Sequence, residues 1–439
     1  MKLASIRRLF GNIDYFLLFT SLVLAAIGVA AIYSSGVDAE GNLVSKEYLK
    51  QVFWIASGIV IMLAAALFDF SRFKDSIWLF YVLAIVLLIL TRLFGRVVNG
   101  AKSWLGIGSL GIQPAEFAKI ATVLALARYL DAAEFATSFR KLVTSAVIAG
   151  FPVLLILSQP DFGSALVFFP AVLMMLTIAD VDVRYILFGV FGVLGVFVFL
   201  SLPLSAASAD NPENILRIFA SDQRLAILLF VVVALVALAA SAGWIIYKKT
   251  FYFWISYVFA LVAISMAGAF IAQKVLKPYQ LARLLVFIDP QIDPRGSGWN
   301  ILQSITAIGS GGLTGKGFLR GTHSHARFIP QQSTDFIFSI IAEEFGFVGV
   351  AVVLGLFLLY FMRCIVLIET LKDRYASYVT AGLLGIFVFH FMINVGMAMG
   401  IMPVTGIPLF FISYGGSSMW IAMASTGILM GISARRYAT

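Results

Sequence analysis

Apolar residues run along this chain in blocks of roughly 17 to 25, long enough to cross a bilayer as helices. The blocks fall at 13–34, 52–69, 77–94, 113–130, 142–158, 163–180, 184–203, 223–247, 251–274, 337–362, 377–401 and 408–432, which predicts about 12 transmembrane helices. One long interval breaks the rhythm. Residues 277–336 hold no membrane-length apolar run, yet they are too rich in Leu, Ile, Phe and Trp for a disordered segment. The pattern therefore predicts an all-α polytopic membrane protein, one integral membrane domain over 1–439 with a large loop at 277–336.

Composition agrees with the pattern. Mean hydropathy is +0.99, and 61% hydrophobic against 12% charged residues leaves too few charges for a soluble chain of this length. The first block, from Ile13 to Ser34, meets no small-residue cleavage site and reads as a retained helix. Cys364 is the single cysteine, so no internal disulfide forms. The formal charge of +9 accompanies no nucleic-acid motif, and in a membrane protein it sets topology.

With the N-terminus inside, the cytoplasmic segments collect Lys2, Arg7, Arg8, Arg72, Lys74, Arg128, Arg140, Lys141, Arg184, Lys248, Lys249, Arg363, Lys372, Arg374, Arg435 and Arg436. That bias predicts both termini in the cytoplasm and the 277–336 loop extracytoplasmic. Three shorter segments, 95–116, 158–163 and 402–408, then share the loop's face, each with Pro, Gly or both at a helix edge. Such breaks are tolerated where the backbone lines a cavity instead of lipid, so they predict a polar cavity opening outward. No internal or inverted repeat of the kind found in transporters is present.

Several residues on that face could carry chemistry. Glu116 and Lys119 share one helix face three residues apart, and a structural ion pair and a substrate contact explain them equally well. Trp104 reads as an interfacial anchor or a substrate platform, and Asp161 as a helix cap at a span's edge. In the long loop Lys277, Arg283, Arg295, Lys316, Arg320 and Arg327 oppose Asp289, Asp293 and Asp335, a basic excess that suits an anionic ligand or lipid headgroups. Gly309–Gly317 could wrap amides around phosphate, but it lacks the spacing of a Walker loop. Trp299, Leu302, Ile305 and Ile308 recur at helical spacing.

Asp335 stands at the start of the tenth block, where the plain alternative is an acidic first-turn residue favoured by the helix dipole. Glu343 and Glu344 follow on the same helix, and at least one must face a cavity or a partner. His323 and His325 lack a third ligand for zinc. His390 and Asn394, one turn apart in an apolar span, are explained by interhelical hydrogen bonding.

An ordered series of motifs resembles the SEDS family (shape, elongation, division and sporulation), its RodA branch more than its FtsW branch. The series comprises Gln113-Pro114-Ala115-Glu116 with Lys119, Gln159-Pro160-Asp161, Pro278-Tyr279-Gln280 with Arg283, and Gln303-Ser304 before AIGSGGLTGKG. Gly321-Thr322, TDFIF, AEE at 342–344 and SYGGSS at 413–418 complete it. The resemblance implies a SEDS-type helical bundle and a peptidoglycan glycosyltransferase that polymerises lipid II for cell elongation and shape. It implies Asp335 as the catalytic carboxylate, with Trp104, Glu116, Lys119 and Asp161 tied to activity or cavity structure. The implied partners are lipid II, the nascent glycan strand, a class B penicillin-binding protein and other elongation-complex membrane proteins, with no nucleic acid.

The chain departs from the family pattern twice. Gln331-Gln332-Ser333-Thr334-Asp335 lacks the acidic residue and His usual before the TD pair. The family commonly has ten spans, so two of the predicted twelve read as a helical hairpin inserted at 204–276. Chemically, a pyrophosphate leaving group needs charge stabilisation more than protonation, so one carboxylate suffices. Asp335 would activate the acceptor hydroxyl directly or through Mg²⁺ or Mn²⁺, with no organic cofactor, while Lys119, Arg283 and Lys316 would hold the pyrophosphate. A lipid-precursor flippase, an FtsW-like septal enzyme and a scaffold for a transpeptidase are the alternatives.

Overall fold

The computed structural model describes residues 13–70, 73–98, 101–107, 110–208, 223–276, 280, 281, 283, 286, 287, 297–328 and 330–436. Lys277, Pro278, Tyr279, Asp289, Asp293 and Arg295 lie outside the described residues. Two compact units divide the chain, one built from residues up to Val181 together with those from Trp299, the other from Asp182–Gly298.

The first unit begins with α1 (Tyr15–Ser35), α2 (Glu47–Leu67) and α3 (Ile77–Phe94). Three short strands follow, β1 (Arg96–Val98), β2 (Ala101–Ile107) and β3 (Leu110–Ile112), in an antiparallel sheet of order β1-β2-β3. After it come α4 (Pro114–Ala132), α5 (Ser138–Leu157), α6 (Phe162–Leu166) and α7 (Phe168–Ile178). The second unit holds α8 (Val183–Ser208), α9 (Gln223–Tyr247) and α10 (Thr250–Val275). The chain then forms α11 (Ser297–Ser310), the single turn α12 (Thr322–His325), α13 (Ile337–Thr370), α14 (Arg374–Ala398) and α15 (Gly416–Arg435).

Among the described residues ten helices are long and apolar enough to cross a membrane. Each of the twelve predicted blocks is helical over most of its length, but two fall short of a full apolar span. Helix α4 carries Glu116, Lys119, Arg128 and Asp131, which dilute its hydropathy. The block at 163–180 is split into α6 and α7, the longer of which has 11 residues. Both exceptions are packed inside the bundle: α4 lies against α3, α5 and α14, and α7 against α14. Helices that do not face lipid do not need lipid-grade hydropathy. The last block also starts late, since α15 begins at Gly416 and 403–409 is neither helix nor strand.

Within the second unit α10 packs on both α8 and α9. Its surface is largely apolar and exposed, and Ser241 and Ser256 hydrogen-bond across α9 and α10 at 2.6 Å, which keeps two hydroxyls out of hydrocarbon.

Helix α13 is interrupted where Gly346 adopts φ 60°, ψ −159°. The break frees carbonyls ahead of it and amides behind it, and each needs a partner in an apolar interior. The glycine-rich run supplies them. The Lys316 and Gly317 amides donate to the Glu343 and Glu344 carbonyls at 3.0 and 2.9 Å, and the Phe347 and Val348 amides donate to Gly312 and Leu313 at 2.9 and 3.1 Å. Gly315, at φ 78°, sits so close that a Cβ there would lie 2.0 Å from the Glu344 carbonyl oxygen. The run from Gly309 to Gly317 is thus a splint on a broken helix, with the Gly311, Gly315, Lys316 and Gly317 amides that a phosphate cradle would use already donated.

Candidate active site

One end of the first unit gathers most of the described segments that the sequence marks for chemistry. Long-range hydrogen bonds tie them: Gln332 Nε2 to the Ser35 carbonyl (2.8 Å), Gln51 Nε2 to the Ser413 carbonyl (3.1 Å), and the Gln113 amide to Ser417 Oγ (3.1 Å). The Tyr414 amide reaches the Ser333 carbonyl at 2.9 Å, and the Lys102 amide the Gln159 carbonyl at 3.1 Å. Burial, followed by the Glu47 carboxylate, raises the Tyr414 phenol above its ordinary pKa, so it stays neutral.

Glu116 and Lys119 form an ion pair of 2.6 Å, with side chains only 4% and 1% exposed. At that burial the pair belongs to the interior. Lys119 Nζ also lies 3.0 Å from His390 Nε2, and His390 Nδ1 lies 2.9 Å from the Pro408 carbonyl oxygen. One turn along α14, the Asn394 amide donates both to the Ile407 carbonyl (2.8 Å) and to the Asp335 carbonyl (3.0 Å). The segment before α15 is therefore held from α14 at two successive carbonyls, and the same helix grips the backbone of Asp335.

Asp335 is half-buried just ahead of α13, its amide donating to the Gln331 carbonyl at 3.1 Å. Gly406 is its neighbour from the other segment. A Cβ there would lie 3.6 Å from Asp335 Oδ2, and the residue sits at φ 74°, a conformation L side chains rarely adopt. A residue with no side chain thus stands beside this carboxylate.

Both remaining carboxylates of the AEE motif are buried and partnered. Glu343 accepts from Lys316 Nζ (2.8 Å), Thr322 Oγ (3.2 Å) and the His323 and Ser324 amides (2.9 and 3.0 Å). Glu344 accepts from the Ser34 hydroxyl and faces His325 Nε2 at 3.4 Å, while His325 Nδ1 bonds the Val37 carbonyl at 2.9 Å. Lys316 is 25% exposed, but its ammonium is offset by Glu343, and Lys119 is offset by Glu116. Both lysines thus have a carboxylate partner within the protein. Among the described residues of this loop, Arg320 and Arg327 are the exposed cations.

Asp161 caps α6 through the Ser164 amide (3.1 Å) and also accepts from Gln113 Nε2 (2.7 Å) and Ser164 Oγ (2.9 Å), so it joins α6 to the start of α4. Trp104 is half-buried in β2, paired with Arg96 across the strands and close to Gly111. The adjoining Leu105 lines a cavity of about 330 Å³ with Phe53, Trp54, Ile112, Ser417 and Trp420. Its walls are apolar, and Ser417 ties it to Gln113. Arg283 is half-buried in the second unit. Among the described residues no three His, Cys, Asp or Glu side chains gather to hold a metal. A lone carboxylate at Asp335 does not make a cage for Mg²⁺ or Mn²⁺, so no step below is routed through a cation.

The family model for FtsW/RodA/SpoVE, described as cell cycle protein, matches residues 15–220 and 214–438. The chain belongs to this family. Among its relatives is a peptidoglycan glycosyltransferase RodA of Treponema pallidum (strain Nichols), 47% identical over 425 residues, which are 97% of this chain and 98% of that one. A solved chain described under structural coordination of polymerization and crosslinking by a peptidoglycan synthase complex is 27% identical, with TM-score 0.63 over 97% of this chain and 99% of its own. The Thermus thermophilus rod shape determining protein RodA, at 24% identity and TM-score 0.60 over 97% and 98%, shares the fold. The SEDS resemblance, its RodA branch and the all-α polytopic fold are thereby met.

In this SEDS chain the sequence points to interhelical hydrogen bonding for His390 and Asn394, and His390 does meet Lys119 of α4. What the i, i+4 spacing does not reveal is the backbone they hold. Their partners, the Ile407 and Pro408 carbonyls, sit in a segment with no periodicity from which to infer contact.

Proposed function

We propose that this peptidoglycan glycosyltransferase polymerises lipid II and that Asp335 is its catalytic carboxylate. The observation that carries the reading is the place of Asp335: half-buried, beside a glycine, with its backbone carbonyl held by Asn394. A general base needs such an arrangement, a fixed main chain and a carboxylate that is not sealed in the interior. The carboxylate takes the proton of the acceptor sugar hydroxyl as that oxygen bonds to the donor's anomeric carbon. The bond from that carbon to the pyrophosphate oxygen breaks, and the electron pair leaves with the lipid pyrophosphate. Arg320 and Arg327 supply exposed positive charge toward that anion.

The substrate class fits the surroundings. An apolar cavity of about 330 Å³ adjoins a polar floor at Ser417 and Gln113, as an amphiphile with a sugar head requires. Orientation follows from charge. Lys74, Arg128, Arg374 and Arg435 are on loops or in the end turns of helices away from Asp335's segment, and under the positive-inside rule their excess supports a cytoplasmic location for that side and the extracytoplasmic side of the inner membrane for Asp335. The partners are the nascent glycan strand, a class B penicillin-binding transpeptidase and other elongation-complex membrane proteins. Support for the transpeptidase is the likeness to a chain solved within a peptidoglycan synthase complex.

The test is lipid II polymerisation by purified protein in lipid nanodiscs. Asp335→Asn is expected to slow turnover by roughly 10²- to 10⁴-fold, the range removed with a general base, while leaving the melting temperature unchanged. A wild-type rate would overturn the assignment of Asp335. Lipid translocation in vesicles without polymer formation would replace the transferase by a flippase.

A further inference from the structure

We infer that His390 is a positioning residue for the reaction, acting through the 407–408 backbone and Asn394 on Asp335, and that the buried Glu116–Lys119 pair serves to hold its ring. The inference rests on the reading of Asp335 as the catalytic carboxylate.

The ring's protonation is fixed by its neighbours. A backbone carbonyl only accepts, so the Nδ1 atom 2.9 Å from the Pro408 oxygen carries a hydrogen and donates it. An ammonium only donates, so the Nε2 atom 3.0 Å from Lys119 Nζ is bare and accepts. His390 is therefore the neutral Nδ1–H tautomer, since a proton on Nε2 would point at a cation. The ring is 1% exposed and lies on Phe410, with centroids 3.8 Å apart and planes 18° apart, which fixes its rotation. Lys119 is held in turn by Glu116 at 2.6 Å and sits 5.7 Å from the centre of the same Phe410 ring.

What this framework grips is the segment that faces Asp335. His390 takes the Pro408 carbonyl; Asn394 spends one amide hydrogen on the Ile407 carbonyl and the other on the Asp335 carbonyl. Gly406, whose Cα would carry a Cβ 3.6 Å from Asp335 Oδ2, is the residue just before those two carbonyls. Movement of the 407–408 backbone thus changes the wall beside the carboxylate and one support of its main chain together. No atom of His390 touches the carboxylate, and at 1% exposure the ring has no surface to offer a sugar.

The experiment separates the two nitrogens. His390→Asn keeps a donor near the Nδ1 position but loses the acceptor for Lys119. His390→Phe keeps the ring on Phe410 and loses both polar functions. Polymerisation by each purified variant is followed against lipid II concentration, with thermal melting to count folded protein. Positioning predicts that His390→Phe lowers kcat by roughly 10- to 100-fold, as misplacement by about an ångström does, with KM within about twofold. His390→Asn is expected to recover kcat to within about fivefold of wild type, because the Pro408 bond is retained. A loss that only follows the folded fraction, a change confined to KM, or an Asn variant as slow as the Phe variant would each overturn the inference. Asp335→Asn runs beside them: an inactive Asp335→Asn with a fully active His390→Phe defeats the positioning role alone, whereas a fully active Asp335→Asn defeats the catalytic reading beneath it.

Discussion

Two sets of charged residues in the first unit are handled in opposite ways. Arg128 meets Asp75, which is 92% exposed, and Lys74 bridges Asp131 and Asp373 with its own side chain 25% exposed. The carboxylates and the lysine behind Asp335 are sunk: the Glu116 and Lys119 side chains are 4% and 1% exposed, and Glu343 and Glu344 are fully covered. An exposed pair contributes about 0–1 kcal/mol, because water competes for both ions. A buried pair gains little over an apolar pair of the same shape, yet losing one member strands the other and costs about 3–5 kcal/mol. The first group can be edited freely; the second constrains a single arrangement of backbone.

Lys119→Met is the harshest way to break that contrast. It leaves the Glu116 carboxylate buried with no cation, and its Oε2 already has no hydrogen-bond partner among the described residues. The expected loss is about 3–5 kcal/mol, read as a fall in the unfolding midpoint of the detergent-solubilised protein. Adding Glu116→Gln should restore most of it. A single variant as stable as wild type would show that the pair is not desolvated as its burial indicates.

A backbone variant comes next. Gly315→Ala would place a Cβ 2.0 Å from the Glu344 carbonyl oxygen at φ 78°, and the splint must lift off the break at Gly346. Backbone strain of this kind costs about 1–3 kcal/mol. Gly309→Ala, in the exposed part of α11 with nothing within 4 Å, should stabilise by up to about 1 kcal/mol through helix propensity. Opposite signs at two glycines of one run, measured by thermal melting and by proteolysis of the loop, would confirm that the run works by close packing; equal effects would remove that account.

Much of this architecture is legible in the sequence, since hydrophobic blocks become helices wherever lipid or core demands it. The twelve blocks all became helical because length and apolarity act locally. The sheet was not foreseen: β1 and β3 have three residues each, too few for an alternation to register, although Asn99-Gly100 is a hairpin signal. Glu116 and Lys119 stand out in the sequence because an ionisable residue in a span is costly and must have a reason, and Asp335 and Asp161 because the family resemblance marks them. Their division of labour was not legible. Whether Lys119 holds a substrate or a histidine depends on a partner 271 residues away in sequence. Likewise the pairing of Lys316 with Glu343, 27 residues on, is not legible in the sequence.

The mildest variant sharpens the contrast most cheaply. Arg128→Gln removes a guanidinium that lies 2.8 Å from Asp75 and 4.0 Å from Asp131, and it strands neither acid, because Asp75 is 92% and Asp131 21% exposed. The expected change in stability is under about 1 kcal/mol. Ionic strength separates it further from the buried pair. With a Debye length of about 10 Å at 0.1 M and about 3 Å at 1 M salt, the difference between Arg128→Gln and wild type should shrink toward zero as salt rises. The deficit of Lys119→Met should persist, since mobile ions do not enter a site that excludes water. If instead both deficits fade together in salt, the site around Glu116 is hydrated, and the rigid frame that His390 and Asn394 are inferred to share with Asp335 loses its physical basis.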